Sequence, residues 1–391
     1  MFFPVLDGVL FSILSIFVLY NLFFTLCSFC RRKKVTNETV CDINLQRFVV
    51  IFPAYKEDAV ILDSVRRFLK QDYPIDKYKI VVVSDKMQDE TNHILSELPI
   101  DLFVVNFEVS LKSKAIKYAL DRLCDFDKAV ILDADNITDT DFLTRVNRLS
   151  VHTKAMQLHR TRKNSNTAVA VLDGIAEEIN NTIYRKGHVN VGLSSAIIGS
   201  GIVFDFEWLK HNIGKCETFA EDKELEVLLA KDDIFVDYEN DVYVYDEKTA
   251  TKDIFLIQRM RWAHSQTVVF SLLIRAMKNG VFNITTIDKL FQWIPFPKQI
   301  RMLMAFLSAL IWSFVSFPIS IKWWFLLLFE ILVFALAIPQ KMYNSSLYLS
   351  LMKLPVLIVV SIKSYLKAFV RMYRKDMSFN STPHQSSSAD D

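Results

Sequence analysis

From Gly8 to Phe29 the chain carries no charged residue. Hydrocarbon offers backbone groups no outside partner, so a run of this length is a helix that can span a bilayer. The basic run Arg31, Arg32, Lys33 and Lys34 follows the apolar segment, the reverse of a secretory signal, so the segment reads as an anchor. By the positive-inside rule the N-terminus lies outside and the next domain is cytoplasmic. An anchor with its basic flank therefore occupies 1–34, and a polar linker occupies 35–46.

Composition agrees with a membrane protein that has a large aqueous part. Apolar residues make up 51% of the 391 residues, with 31 Phe, more than a soluble enzyme needs. The net charge of +2 gives no reason to propose a nucleic acid partner. Five Cys, an odd and scattered set, form no disulfide framework and fit a reducing compartment. Cys27 and Cys30 have C-x-x-C spacing, but they close an apolar segment and no second pair follows.

Over 47–278 the pattern changes to strands alternating with helices. Strands are expected at Phe48–Phe52, Lys79–Val83, Leu102–Val105 and Ala129–Leu132, with helices at Asp58–Leu69 and Ser113–Leu123. Such alternation predicts an α/β domain with a parallel, doubly wound sheet whose ligands gather beyond the carboxyl ends of the strands. Three strand ends deliver polar residues to that edge: Tyr55 and Glu57, Asp85, and the pair Asp133 and Asp135. Two carboxylates one residue apart can hold Mg²⁺ together with substrate phosphates. Read alone, the tripeptide also suits a solvated turn or a helix N-cap.

Further along, a strand at Ala155–Leu158 and a long helix at Asn166–Lys186 are expected. Gly199, Ser200 and Gly201 interrupt an apolar run, marking a close approach of backbone to an acceptor or to another strand. Glu221 and Asp222 open a helix, where acidic residues are also ordinary caps. On a helix from Asp253 to Lys278, Gln258, Arg261 and Trp262 cluster. A guanidinium beside an aromatic suits a diphosphate and a sugar ring, or a cation–π core contact.

The remainder returns to lipid. An interfacial helix is expected over 279–301, two transmembrane helices over 302–340 (Met302–Ile321 and Trp323–Pro339), and an interfacial or re-entrant helix over 341–375. Glu330 falls within the second span, where a carboxyl is either functional or protonated and bonded to a neighbouring helix. The tail, 376–391, has a disordered composition and a cytoplasmic expectation.

In order along the chain stand FPAYKED, VVVSD, ILDADN, AED and QRMRW. This succession resembles the family 2 inverting glycosyltransferases, the group that includes cellulose, chitin and hyaluronan synthases. The resemblance implies a GT-A fold, a Rossmann-like mixed sheet with flanking helices. It also implies that Pro53, Ala54, Tyr55 and Glu57 line a uridine pocket, that Asp85 binds base or ribose, and that Lys114 lies near the nucleotide. Asp133 would help hold the nucleotide, and Asp135 a Mg²⁺ or Mn²⁺ bridging the phosphates. Asp222 would be the general base with Glu221 its neighbour, while Gln258, Arg261 and Trp262 would cover the diphosphate and the acceptor end, near Gly199, Ser200 and Gly201. Lys56 departs from the family's frequent Asn and Ala220 from its Thr, and no Arg follows Gly201.

The implied activity is a membrane-bound, inverting, metal-dependent hexosyltransferase. It would move a sugar from a UDP-sugar to a hydroxyl of a glycan or lipid-linked acceptor in cell-surface polysaccharide or glycolipid synthesis. A processive synthase that exports its polymer is the alternative, needing self-association or export partners to complete a channel. From another class, a non-catalytic membrane scaffold retaining the fold would not need its five carboxylates. The ending FNSTPH resembles a tail of some bacterial membrane relatives and implies the bacterial inner membrane.

Overall fold

The computed structural model describes residues 2–30, 44–249 and 251–373. The basic flank Arg31–Lys34, most of the linker and the tail from 376 lie outside the described residues.

Eight strands form one sheet: β1 (Phe48–Tyr55), β2 (Tyr78–Asp85), β3 (Asp101–Val105), β4 (Lys128–Ile131), β5 (Ile137–Thr138), β6 (Ala155–Arg162), β7 (Ile202–Asp205) and β8 (Val236–Asp246). Their order is β3-β2-β1-β4-β7-β6-β8-β5. The first four strands are mutually parallel, as expected. The sheet as a whole is mixed, because β7 runs antiparallel to both β4 and β6, and β5 antiparallel to β8. That outcome corrects the all-parallel reading from alternation and agrees with the mixed sheet of the resemblance.

Period-2 alternation divides each central strand between two cores. Phe48, Val50, Phe52, Val82 and Val130 face one side, against α2 (Ile61–Phe68) and α5 (Phe142–Ser150). Val49, Ile51, Val83, Ala129 and Ile131 face the other, against α4 (Lys112–Leu120) and α9 (Glu221–Lys231). Burial on both faces is why these strands read as unbroken apolar runs. At roughly 1.5–3 kcal/mol per fully buried side chain, this double core pins the strand ends that carry the site. Helices α3 (Asp89–Ser96) and α8 (Phe206–Asn212) complete the aqueous part.

The strand order reverses between β1 and β4, the switch point where a crevice forms. Pairing of β1 with β4 stops at Ile51–Ile131, two residues before Pro53, which has no backbone donor to extend it.

After β6, α6 runs from Ala168 to Asn180 and passes into a π-helical stretch, Asn181–Gly187, and then α7 (His188–Asn190). Here the chain meets α1 (Phe2–Cys27): an added Cβ on Gly187 would lie 2.2 Å from the Phe24 carbonyl oxygen. Beyond β8 come α10 (Lys252–Lys278), α11 (Ile284–Trp293), α12 (Lys298–Val315), α13 (Phe317–Ala337), α14 (Ser345–Leu351) and α15 (Leu354–Tyr373).

Among the described residues, three helical stretches are long and apolar enough to cross a membrane: Val5–Cys27, Lys298–Val315 and Phe317–Ala337. They pack through Leu14, Val18, Ala305, Ala309 and Trp323, while Val9, Ile13, Ile16, Leu19 and Phe23 remain exposed, as suits lipid contact rather than water. The break between α12 and α13 falls at extended Ser316, followed by Pro318, instead of at Ile321 as hydropathy alone indicated. Hydropathy senses composition, whereas an extended residue and a proline decide where the helix stops. The stretch expected as interfacial or re-entrant is a helix pair, α14 and α15, bent by 59°.

Candidate active site

Strands β1 and β2 end in the same way. Tyr55 is followed by Lys56 at φ +56° and Asp85 by Lys86 at φ +57°. Left-handed backbone is a conformation Asn tolerates well, which accounts for a family preference for Asn where Lys56 stands. The Lys56 and Lys86 N–H groups donate to Asp85 O at 3.2 Å and Val105 O at 3.4 Å, holding the strand ends in step. Both ammonium groups lie over the Tyr55 ring, at 5.4 and 5.8 Å. Asp85 Oδ1 accepts from the Phe107 N–H at 3.2 Å.

Beyond β4, Asp133 and Asp135 meet a carboxylate absent from the sequence reading, Asp246, the last residue of β8. Ligand oxygens of the three lie within 4.8 Å of one another. Asn136 ties the group together, its Nδ2 donating to Asp135 Oδ1 at 3.1 Å and Asp246 Oδ1 at 3.3 Å. The Glu247 N–H donates to Asp135 Oδ2 at 3.0 Å, and Lys248 Nζ to Asp246 Oδ2 at 2.6 Å. Lys112 pairs with Asp133, while the Arg160 guanidinium lies 3.9 Å from Asp133 and 3.7 Å from Asp246. Burial pushes the Asp133 carboxyl up, but Lys112 and Arg160 outweigh it and hold the group below the usual carboxylate range. Oriented, hard oxygen donors of this kind fit a divalent cation.

Across the crevice, α9 opens with Glu221 and Asp222. Asp222 Oδ2 accepts from the Gly199 N–H at 3.2 Å and its Oδ1 from the Lys223 N–H at 2.9 Å. Lys112 links the two acidic sets: besides Asp133, its Nζ donates to Gly199 O at 2.6 Å and lies 3.9 Å from Glu221 Oε1. Burial pushes Glu221 up to about 8, with Lys112 opposing and Asp222 and Asp133 adding to the rise. From α10, the Arg261 guanidinium is within electrostatic reach of Asp133, Glu221, Glu57 and Asp222.

Tyr55, Asp85, Lys112, the three aspartates, Arg160, Glu221, Asp222 and Arg261 line one cleft of about 630 Å³, which continues past Gln258 and Trp262 to Phe17 and Tyr20 of α1. Its size is that of a small-molecule site. A second hollow of about 640 Å³, beside Tyr73 and Asn147, lies away from the strand ends and lacks converging carboxylates.

Against known families, residues 46–265 match the family described as glycosyltransferase like family 2. The chain belongs to this family. Among solved structures, this glycosyltransferase is similar to mannosyltransferase PcManGT from Pyrobaculum calidifontis in complex with GDP-Man and Mn²⁺. The TM-score is 0.61 at 16% identity, covering 92% of this chain and 99% of that one. It is more loosely similar to S. aureus TarS 1–349, with a TM-score of 0.42 at 17% identity over 85% of this chain and 93% of that one. No curated protein sequence matches.

The glycosyltransferase cleft collects Pro53, Ala54, Tyr55, Glu57, Asp85, Asp133, Asp135, Gly199, Glu221, Asp222, Gln258, Arg261 and Trp262. Three candidates fall outside its lining. Lys114 is exposed and donates to Val109 O at 3.1 Å; Lys112, two positions earlier on α4, lines the cleft instead, because residues two apart face different sides of a helix. Ser200 is buried. Gly201, at φ +65°, is a packing glycine, since a Cβ there would lie 3.1 Å from Val244 Cγ2. So the close approach foreseen for this segment is to another strand at Gly201 and to the cleft at Gly199.

Proposed function

We propose that the chain transfers a hexosyl group from a nucleoside diphosphate sugar, UDP-linked as the family resemblance implies, to an acceptor hydroxyl with inversion. The observation carrying this reading is Lys112 standing between the strand-end carboxylates and the Glu221–Asp222 pair. A donor diphosphate and an acceptor hydroxyl can then share one cleft.

The acceptor oxygen attacks the anomeric carbon. As that C–O bond forms, the bond to the diphosphate breaks, and its electron pair leaves with the nucleoside diphosphate. The acceptor proton passes to Asp222, oriented by the Gly199 and Lys223 N–H groups. Burial pushes the Glu221 carboxyl up, and we assign the base to Asp222. One base opposite the leaving group gives inversion. Charge growing on the leaving oxygen is met by Lys112 and Arg261. Asp133, Asp135 and Asp246 would hold a divalent cation, Mg²⁺ or Mn²⁺, which supplies further neutralisation of the diphosphate.

The basic flank supports a cytoplasmic domain on an inner membrane. The three apolar helices among the described residues, or four with the bent pair, offer little wall for a polymer channel, which favours single addition. The test is a panel of UDP- and GDP-sugars, GDP-Man included because the Pyrobaculum relative binds it, assayed on the full-length protein with and without Mn²⁺ or Mg²⁺. Asp222→Asn is expected to lower kcat by about 10²–10⁴ while nucleotide affinity persists. Full activity in that variant would overturn the base assignment, and no transfer from any donor would overturn the function.

A further inference from the structure

We propose that the membrane-side end of the cleft binds the phosphate of a lipid-linked acceptor, through Arg259, Lys298 and Arg301 at the N-terminus of α12. The inference rests on the glycosyltransferase reading of the same cleft and names its acceptor class.

The 18-residue helix α12 begins after Pro297 with no side-chain cap and no acidic residue in its first turn, which instead carries Lys298 and Arg301. Helix N-termini attract anions and disfavour cations. Two cations there are therefore destabilising alone and stabilising around an anion. Arg301 is only 8% exposed at its side chain, its nearest carboxylate is Glu330 at 3.9 Å, and its Nε has no hydrogen-bond partner. Lys298 Nζ bonds only Asn180 Oδ1, at 3.3 Å, and no carboxylate pairs with it among the described residues. Arg259 is held by Asp173 and lies over the Phe255 and Trp262 rings at 4.6 and 4.4 Å, again with an unpartnered Nε. Arg259 and Arg301 are both within electrostatic range of Lys298. Two carboxylates, Asp173 and Glu330, pair directly with these three cations, and Glu177, the other carboxylate in range of Lys298, is already shared by Arg160, Arg185 and Lys248.

The lining beside them sets the class of ligand. Phe17 and Tyr20 of α1, Phe296 just before α12, and Tyr365 of α15 face the same cleft, and Arg301 itself stacks over Phe17 at 4.4 Å. A cationic pocket opening onto apolar helices fits an amphiphile with an anionic head. It does not fit a neutral soluble glycan.

The experiment uses the full chain in nanodiscs of zwitterionic lipid, without donor, and measures binding of dodecyl phosphate, dodecanol and inorganic phosphate. Dodecyl phosphate is expected to bind at least about tenfold more tightly than either other probe. Lys298→Gln and, separately, Arg301→Lys should each weaken it about tenfold, the scale of one charge-assisted hydrogen bond, while nucleoside diphosphate affinity changes less than about twofold. The lysine for arginine exchange keeps a charge opposite Glu330, so the protein remains testable if Arg301→Gln does not fold. Equal binding of dodecanol would overturn the proposal, as would equally tight inorganic phosphate, or variants that weaken nucleotide and lipid alike. If no nucleotide sugar is turned over yet dodecyl phosphate binds as described, the transferase reading fails and the anionic-lipid site stands.

Discussion

The cleft has two ends of opposite character. At the strand end, Asp133, Asp135 and Asp246 crowd together, and Lys112, Arg160 and Lys248 compensate them through direct contacts. At the membrane end, Arg259 and Arg301 each have one direct carboxylate partner, Lys298 has none among the described residues, and polar atoms are left without partners. A buried charge is tolerated only when paired. On the proposed reading, ligand charge enters as a cation and a diphosphate at the strand end and as an anionic head at the other.

The comparison breaks most directly at Asp246. Replacing it with Asn should lower Mn²⁺ affinity by about 10²-fold or more, read by calorimetry, and leave dodecyl phosphate binding in place. Loss at both ends would mean that one network serves the whole cleft. Next is the contact of the aqueous domain with α1, where Gly187 meets Phe24. Gly187→Ala must displace the Phe24 backbone, and overpacking of this kind destabilises by about 1–3 kcal/mol, measurable as a lower Tm of the full chain.

A further effect concerns pH. Glu221 has a folded value of about 8, above its ordinary 4.5, so folding takes up a proton at this group. Its contribution to stability is complete below 4.5 and is lost as pH rises through about 8. Glu221→Gln should flatten that slope in denaturant titrations at pH 5 to 9, and an unchanged slope would assign the proton elsewhere. The smallest change is expected at the exposed Asp63–Arg67 pair, 2.8 Å apart with side chains 44% and 56% exposed. Asp63→Ala should shift stability by no more than about 1 kcal/mol and alter neither end of the cleft.

Much of the strand end was legible because its signals are local. A buried strand announces itself as an apolar run and its end as a polar turn, so Tyr55, Asp85 and Asp133 could be placed on one edge from sequence. Asp246 obeys the same grammar, closing the run Val242, Tyr243, Val244 and Tyr245. That β8 lies beside β6 is a long-range pairing, with a register shift between Leu158 and His159, and no local pattern encodes it. Lys112 was missed for a different reason. Two lysines flank Ser113, and only the docked orientation of α4 turns the first toward Asp133. Arg160 was hidden as a charged residue inside a strand, where its partners come from the turn after β4, from α6 and from β8.

By itself, then, the sequence determined the aqueous α/β domain, the apolar helices on either side of it, and the family signature of carboxylates. Periodicity, hydropathy and motif spacing are properties of neighbouring residues. Tertiary structure alone decided that β7 runs antiparallel, that Asp246 completes the acidic triad, and that Arg259, Lys298 and Arg301 gather where the cleft meets the apolar helices. Those outcomes depend on contacts between residues far apart in the chain, and only closure of the sheet and packing of α10 and α12 against it bring them together.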